Sequence, residues 1–188
     1  MLVRTAVVSS LALYGLAMAE TGIDGWLRYK PLPSNVVDNF RPPKSFITLN
    51  ATMSSPVYTA GTELQDAFSG IFGKQVQRRV EGCNHQNTVI VGTLDAYHDA
   101  CGNANLPARL DEDGFWLSIK GASVKIVGQN ERGALYGAFK YASMLSQANF
   151  SDIPYVSNPT NAIRWTNEWD NMDGTIERGY SGESIFFA

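Results

Sequence analysis

Residues 115–145, FWLSIKGASVKIVGQNERGALYGAFKYASML, decide the fold of this chain. Two β-rich runs, 115–119 and 123–127, flank Lys120-Gly121-Ala122, and this order predicts a β-hairpin. Asn130 follows at a position where it can cap a helix, and the apolar residues after it recur at helical spacing. The stretch therefore predicts a hairpin that leads directly into an amphipathic helix.

The predicted helix combines a stripe of larger apolar residues with a pair of glycines. The apolar stripe consists of Leu135, Phe139, Ala142 and Leu145. Gly133 and Gly137 lie four residues apart, a spacing that permits close approach of the backbone to a sheet, and we interpret both as packing residues. They do not form the Gly-rich patterns of dinucleotide or phosphate-binding loops. Glu131 and Arg132 are interpreted as surface residues at the helix start.

Further regular elements are predicted upstream of the hairpin. Residues 45–50 and 88–92 have the composition of strands. Between them, Ser55 and Pro56 predict a helix start. The expected apolar face of that helix consists of Val57, Ala60, Leu64, Phe68 and Ile71, and Gly73 is its expected end. Residues 20–44 are expected to be extended and 95–111 irregular, so 20–150 reads as one α/β domain with a mixed β-sheet and helices.

The composition changes after this domain. Residues 151–162 are rich in Ser, Asn, Asp and Pro, which predicts a linker. Residues 163–169 are predicted to form a strand that runs into a polar, Gly-rich loop, as at the start of a βα-barrel. Residues 163–188 are therefore expected to form an incomplete second domain.

The overall composition is that of a globular protein. The chain has 188 residues, of which 44% are hydrophobic and 18% charged, with a net charge of -3. This balance provides no overall basic field, which argues against nucleic acid and anionic membranes as the main partners.

The N-terminus and two sequons indicate export. Arg4 precedes an apolar run over 6–17, and Ala17-Met18-Ala19 resembles a signal-peptidase site, so 1–19 is predicted to be a signal peptide. The alternative is a membrane anchor, but the run is shorter than the roughly 20 apolar residues that a spanning helix needs. Asn50 and Asn149 begin Asn-x-Ser/Thr sequons, which matter only in the secretory pathway. We expect a secreted, extracellular glycoprotein.

Cys83 and Cys101 are the two cysteines of the chain. An oxidising compartment favours a disulfide between them. A zinc site with His85 and His98 is the alternative, since two thiolates and two imidazoles match the ligand count of a structural zinc. The Cys-x-His spacing is tighter than usual for zinc, which favours the disulfide.

Two stretches of the chain resemble family-67 α-glucuronidases. They are GQNERGALYGAF at 128–139 and RWTNEWDNMDGTIERGYSGESIFF at 164–187, and they occur in the family's order. With Gly-Trp-Leu-Arg-Tyr at 25–29, the resemblance to fungal members covers essentially the whole mature chain.

The resemblance implies a β-hexosaminidase-like N-terminal domain ahead of a (β/α)8 TIM barrel. It also implies hydrolysis of the α-1,2 bond between (4-O-methyl-)glucuronic acid and xylose in glucuronoxylan fragments, a step in xylan degradation. Family members are inverting and use a carboxylic acid and a carboxylate base, with no cofactor and no metal. Both carboxylates are expected beyond Ala188, so this chain alone is expected to be inactive. The parent enzyme is expected to form a homodimer.

The resemblance also implies a sugar-contacting loop. Trp169 matches a tryptophan that the family places against the sugar, and Glu168 is expected to accept hydrogen bonds from hydroxyl groups. Asp170 and Asn171 would either bind hydroxyl groups or fix the loop through Asx-type turns. Glu177 and Arg178 are interpreted as an ion pair within this loop.

Two other functions remain open. The exposed-loop aromatics Trp169 and Tyr180 are compatible with a non-catalytic, secreted carbohydrate-binding or accessory module. A secreted structural domain with no role in sugar binding is the third possibility.

Overall fold

A computed structural model describes residues 28–38, 40–79, 82–83, 86–102, 106, 109–165, 167, 170–171 and 173–174. The chain separates into a compact unit, Tyr29–Thr166, and a second unit that combines Met1–Arg28 with Asn167–Ala188. The predicted signal peptide, residues 1–19, lies outside the described residues.

The compact unit is an α/β domain. Its strands are β1 (Ser45–Thr48), β2 (Gln77–Arg79), β3 (Thr88–Thr93), β4 (Phe115–Lys120), β5 (Ser123–Gly128) and β6 (Ile153–Ser157). Its helices are α1 (Ser34–Val37), α2 (Pro56–Phe72), α3 (Leu94–Cys101) and α4 (Glu131–Ser146).

The six strands form one mixed sheet in the order β2-β1-β3-β5-β4-β6. Strands β2, β1, β3 and β5 run parallel, whereas β4 is antiparallel to both β5 and β6. Helices α2 and α4 pack on one face of this sheet, and α3 packs on the other. The predicted mixed sheet with helices is confirmed, as is the hairpin of β4 and β5.

Helix α2 forms where the sequence predicts it. The Ser55 hydroxyl accepts a hydrogen bond from the backbone N–H of Tyr58, Pro56 occupies the first turn, and Gly73 ends the helix in a left-handed conformation. All five residues of the predicted apolar face are buried. Phe68 packs edge-on against Phe46 of β1 with 5.1 Å between ring centroids, which joins the helix to the sheet.

Helix α4 is also present, but the face that it buries differs from the prediction. The buried residues are Gly133, Ala134, Gly137, Ala138, Tyr141, Ala142, Met144 and Leu145. Leu135 and Phe139 of the predicted stripe are only half-buried. Ala142 and Leu145 of that stripe are buried as predicted, and Gly133 and Gly137 pack closely as predicted. The close contact at the two glycines centres the buried face on them and leaves Leu135 and Phe139 at its flank.

Three predicted irregular stretches contain regular structure. Residues 95–111 include most of α3, whose start is capped by the Thr93 hydroxyl accepting from the N–H of Ala96. Residues 20–44 include the single-turn α1. The predicted linker 151–162 contains β6, so the linker interpretation is wrong there: β6 pairs with β4 along its length, and tertiary pairing overrides its loop-like composition.

The close contacts of Gly133 and Gly137 predict that replacing either glycine by alanine lowers the stability of the domain. A Cβ atom at Gly137 would lie 2.6 Å from Cγ2 of Ile126, and one at Gly133 would meet the backbone carbonyl oxygen of Gly114. Overpacking of this kind costs about 1–3 kcal/mol, whereas alanine gains about 1 kcal/mol in helix propensity.

We expect Gly137→Ala to lower the free energy of unfolding slightly and Gly133→Ala to lower it more, because backbone yields less than a side-chain methyl group. Urea unfolding followed by circular dichroism would measure both. Ser143→Ala, at an exposed position of the same helix, is the control and should be neutral or stabilising. A stabilised Gly133→Ala variant would contradict the close contact.

Candidate functional site

The predicted sugar-contacting loop is only partly described. Glu168, Trp169, Glu177 and Arg178 lie outside the described residues, whereas Asp170 and Asn171 lie within them. The Asn171 carbonyl oxygen accepts a hydrogen bond from the backbone N–H of Gly174 at 3.0 Å, and Gly174 has a φ of 84°. This hydrogen bond joins residues three apart, as in a β-turn, and the φ of Gly174 favours glycine at that position. The sugar-binding roles of Asp170 and Asn171 stay predictions.

The predicted strand over 163–169 is not seen in its described part. Residues 163–165 and 167 are not assigned to a strand. Ile163 and Trp165 are exposed, and Trp165 retains 89% of its accessible surface. A strand needs a neighbouring strand to satisfy its backbone groups, and the described part of this stretch is paired with none.

Residues 158–165 are instead tied to the α/β domain by side chains. The Arg164 guanidinium donates from Nη2 to Oδ2 of Asp113 at 2.9 Å and lies 5.1 Å from the ring centroid of Tyr136. Asn158 Oδ1 accepts a hydrogen bond from the backbone N–H of Asp111 at 2.9 Å. These contacts fix the chain immediately before the predicted sugar-contacting loop.

Asp113 is the centre of this arrangement. Its Oδ1 also accepts hydrogen bonds from Nε of Arg132 at 2.9 Å and from Nδ2 of Asn130 at 2.8 Å. The Asn130 side-chain oxygen in turn accepts from the N–H of Gly133 and caps α4. One carboxylate therefore joins the helix start to the segment that leaves the domain.

The electrostatics of Asp113 follow from these partners. Its side chain is 12% exposed, and this desolvation alone would raise the pKa of the carboxyl. Hydrogen bonds from Asn130 and Arg132, and the charges of Arg132 and Arg164, outweigh the desolvation, so the pKa of Asp113 lies below its ordinary value. The carboxylate is thus held ionised.

Asp113 was not among the residues predicted to be important, and Arg132 was interpreted as a surface residue. The available signal was local: Asp113 stands in a turn before β4 with a φ of 60°, a conformation that aspartate tolerates better than most residues. A cleft of about 240 Å³ lies beside it, lined on one side by residues 159–162.

The structure joins Cys83 and Cys101 by a disulfide, with Cα atoms 5.3 Å apart. The bond ties the end of α3 to the chain that precedes β3, and both cysteines pack against the core cluster under α3. Within the described residues, which include His98 but not His85, no group of three or more potential metal ligands occurs.

Both sequon asparagines are accessible. Asn50 and Asn149 are exposed, and Oδ1 of Asn149 accepts a hydrogen bond from the backbone N–H of Ser151.

The part of the chain that the structure describes contains no helix long and apolar enough to span a membrane.

The Asp113 contacts predict a pH-dependent contribution to stability. Asp113→Asn removes the charge that both arginines bind, and we expect a loss of about 1–2 kcal/mol in the free energy of unfolding at pH 7. Because the pKa is lower in the folded state, this contribution is complete above the unfolded pKa, near pH ~4, and is lost as the pH falls through the folded pKa.

Urea unfolding of the parent and Asp113→Asn chains at pH 7 and pH 2 would measure this difference, which should shrink at pH 2. Asp111→Asn is the control, because Asp111 forms an exposed ion pair with Arg109 that should contribute little. An equal difference at both pH values would show that the charge of Asp113 is not what matters.

Comparisons with known proteins identify the family. Residues 25–141 match the glycosyl hydrolase family 67 N-terminus, and residues 143–188 match the glycosyl hydrolase family 67 middle domain. The chain is 52% identical over 181 residues to a probable alpha-glucuronidase A of Neosartorya fischeri and 53% identical over 181 residues to one of Aspergillus fumigatus. Each alignment covers 96% of this chain and 22% of the relative, so the chain spans about a fifth of the length of these relatives.

Among solved structures, a GH138 enzyme targeting pectin rhamnogalacturonan II is 18% identical, with a TM-score of 0.45 over 63% of this chain and 12% of that one. This likeness is too low to bear on function. The two family matches together extend from residue 25 to residue 188, and on them the chain belongs to glycosyl hydrolase family 67.

Proposed function

We propose that this chain forms the N-terminal part of a secreted α-glucuronidase. The whole enzyme would hydrolyse the α-1,2 bond between (4-O-methyl-)glucuronic acid and xylose in glucuronoxylan fragments. The observation that carries the proposal is the match to both the N-terminus and the middle domain of family 67, together with about half identity to relatives named probable alpha-glucuronidase A.

The proposed division of labour follows from the chemistry of the reaction. An inverting glycosidase needs one carboxylic acid to protonate the leaving oxygen and one carboxylate to activate water on the opposite face of the sugar. We assign both groups to the part of the enzyme beyond Ala188. The present residues would supply the supporting α/β domain, the start of a (β/α)8 barrel over 163–188, and one edge of the sugar pocket.

Within that edge, Trp169 would present an apolar ring to the C–H face of a pyranose. Glu168, Asp170 and Asn171 would accept or donate hydrogen bonds to sugar hydroxyl groups. The backbone hydrogen bond from Gly174 to Asn171 supports this arrangement because it holds the backbone that follows Asp170. The Asp113–Arg164 contact would hold the preceding segment in place.

Secretion is part of the proposal. The disulfide between Cys83 and Cys101 is of the kind that persists in oxidising compartments. The two exposed sequon asparagines, Asn50 and Asn149, are accessible to glycosylation. Residues 1–19 would be removed as a signal peptide.

The first prediction of the proposal concerns the isolated chain. Incubated with aldotetraouronic acid, the 188-residue chain should release no glucuronic acid, because we assign the acid and the base to later residues. A protein in which this chain continues to the full length of its relatives should release it. Chromatography of the products would detect either outcome. Turnover by the isolated chain would contradict the assignment of both carboxylates to later residues.

The second prediction concerns Trp169. In the full-length protein, Trp169→Ala should lower kcat/KM about tenfold, the loss expected when a stacking contact of roughly 1.4 kcal/mol is removed. Met53→Ala is the control: Met53 is an exposed apolar side chain of the α/β domain, outside the proposed barrel, so its loss should change kcat/KM little. Equal effects of the two substitutions would argue against a sugar contact by Trp169.

A further inference from the structure

An open groove of about 620 Å³ lies on the face of the sheet opposite α2 and α4. Its floor is formed by Trp116, Ser118 and Lys120 of β4 with Ser123 and Lys125 of β5, and the residues around Pro154 at the start of β6 form its side. We call this feature the lysine groove. Its volume falls within the range of roughly 300–1,000 Å³ that is usual for small-molecule sites.

The strand alternation explains why polar groups meet here. Phe115, Leu117 and Ile119 point into the core under α2 and α4, so the residues between them point to the groove. The register then pairs Ser118 with Lys125 and Lys120 with Ser123, which places two hydroxyl groups and two ammonium groups on neighbouring strands. This part of the sheet face is therefore polar, in contrast to the apolar face that α2 and α4 cover.

The groove carries positive charge that no described carboxylate contacts directly. The Lys125 ammonium lies 5.9 Å from the ring centroids of both Tyr97 and Trp116. Among the described residues, no carboxylate lies within 4.0 Å of the Lys120 or Lys125 ammonium group. The carboxylate at the rim, that of Asp152, accepts a hydrogen bond from the N–H of Gly121 at 2.7 Å and so closes the hairpin turn.

The remaining lining suits a sugar. Pro154 is exposed and provides apolar surface beside the charged groups, whereas Trp116 is largely buried in the floor. Serine hydroxyl groups both donate and accept hydrogen bonds, as sugar hydroxyl groups require. The two lysines can bind either a carboxylate or a phosphate as point charges. The neighbouring hydroxyl groups and the exposed Pro154 favour an anion carried on a sugar, and titration with phosphate distinguishes the two anions.

We propose that the lysine groove is an auxiliary binding site for an acidic oligosaccharide, with a uronate carboxylate at Lys125 and Lys120 and the adjoining sugar rings along Ser118 and Pro154. The choice of a uronate-bearing xylo-oligosaccharide rests on the proposed function. None of the described residues that form the groove belongs to the predicted loop over 168–171. An auxiliary site of this kind raises the local concentration of acidic oligosaccharide at the enzyme without taking part in the chemistry.

The test is a titration of the isotope-labelled 188-residue chain, followed by backbone amide chemical shifts. Aldotetraouronic acid should shift the amides of β4 and β5 around Ser118 and Lys125. It should bind at least tenfold more tightly than uncharged xylotriose, and its affinity should fall as salt is added. Glucuronate alone and inorganic phosphate complete the series, and both should bind more weakly than the acidic oligosaccharide.

Charge-removing variants locate the site. Lys125→Gln, and independently Lys120→Gln, should weaken binding of the acidic oligosaccharide, the former at least tenfold. Lys74→Gln removes an exposed lysine outside the groove and should leave affinity unchanged. The amide spectrum of each variant verifies its fold. If one groove variant fails to fold, the other still measures the contribution of groove charge to binding.

In the titration, the proposal would be overturned by equal affinity for charged and uncharged oligosaccharides, by amide shifts confined to residues outside the groove, or by phosphate binding as tight as that of the acidic oligosaccharide. Among the variants, unchanged affinity in both Lys125→Gln and Lys120→Gln would overturn it. Glucuronic acid release by the full-length protein is measured separately. Absence of release would contradict the proposed function, whereas the titration decides the groove whether or not the full-length protein is active.

Discussion

The close contact between α4 and the sheet is the constraint on which the rest of the domain depends. Gly137 lies against Ile126 and Phe115, and Gly133 lies against the backbone that enters β4. Since neither glycine adds a side chain, the helix lies directly on the strand side chains at Gly137 and on backbone at Gly133, and its position tolerates little displacement. The start of α4 is thereby brought beside Gly114, next to the turn that carries Asp113.

That position lets a single carboxylate act on three parts of the chain. Asp113 reaches the cap residue Asn130, the first-turn Arg132 and, from beyond β6, Arg164. A single ion pair or hydrogen bond at a surface contributes little to stability. These contacts share one carboxylate that is partly shielded from water, so each partner helps to orient the group for the others. The consequence is a fixed exit for the chain at residues 158–165.

The sequence predicted those elements whose local signals agree with their tertiary environment. Helix α2 has a cap, a proline, an apolar stripe and a terminal glycine, and all of them operate in the structure. For α4 the sequence predicted the packing of Gly133 and Gly137 and the burial of Leu145, but Leu135 and Phe139 lie at the flank because the contact is centred on the two glycines. The sequences of strand β6 and helix α3 resemble loops, so the sequence does not predict either element. Strand β6 forms because it pairs with β4. Helix α3 forms because Thr93 caps it and Tyr97 is buried. Asp113 could not be predicted as a centre, because its partners Arg132 and Arg164 are 19 and 51 residues away.

Strand β6 determines where this domain can be separated from the later part of the chain. The family N-terminus match ends at residue 141, yet the sheet is complete only at Ser157. Pro154 and the modest length of β6 make it a protected outer edge. A protein cut at residue 141 or shortly after it would instead expose the backbone of β4, with Leu117 and Trp116 along it, as an unpaired edge open to pairing with other chains. The structural boundary of the domain therefore lies after β6, in residues 158–165, which the contact of Arg164 with Asp113 holds against the domain.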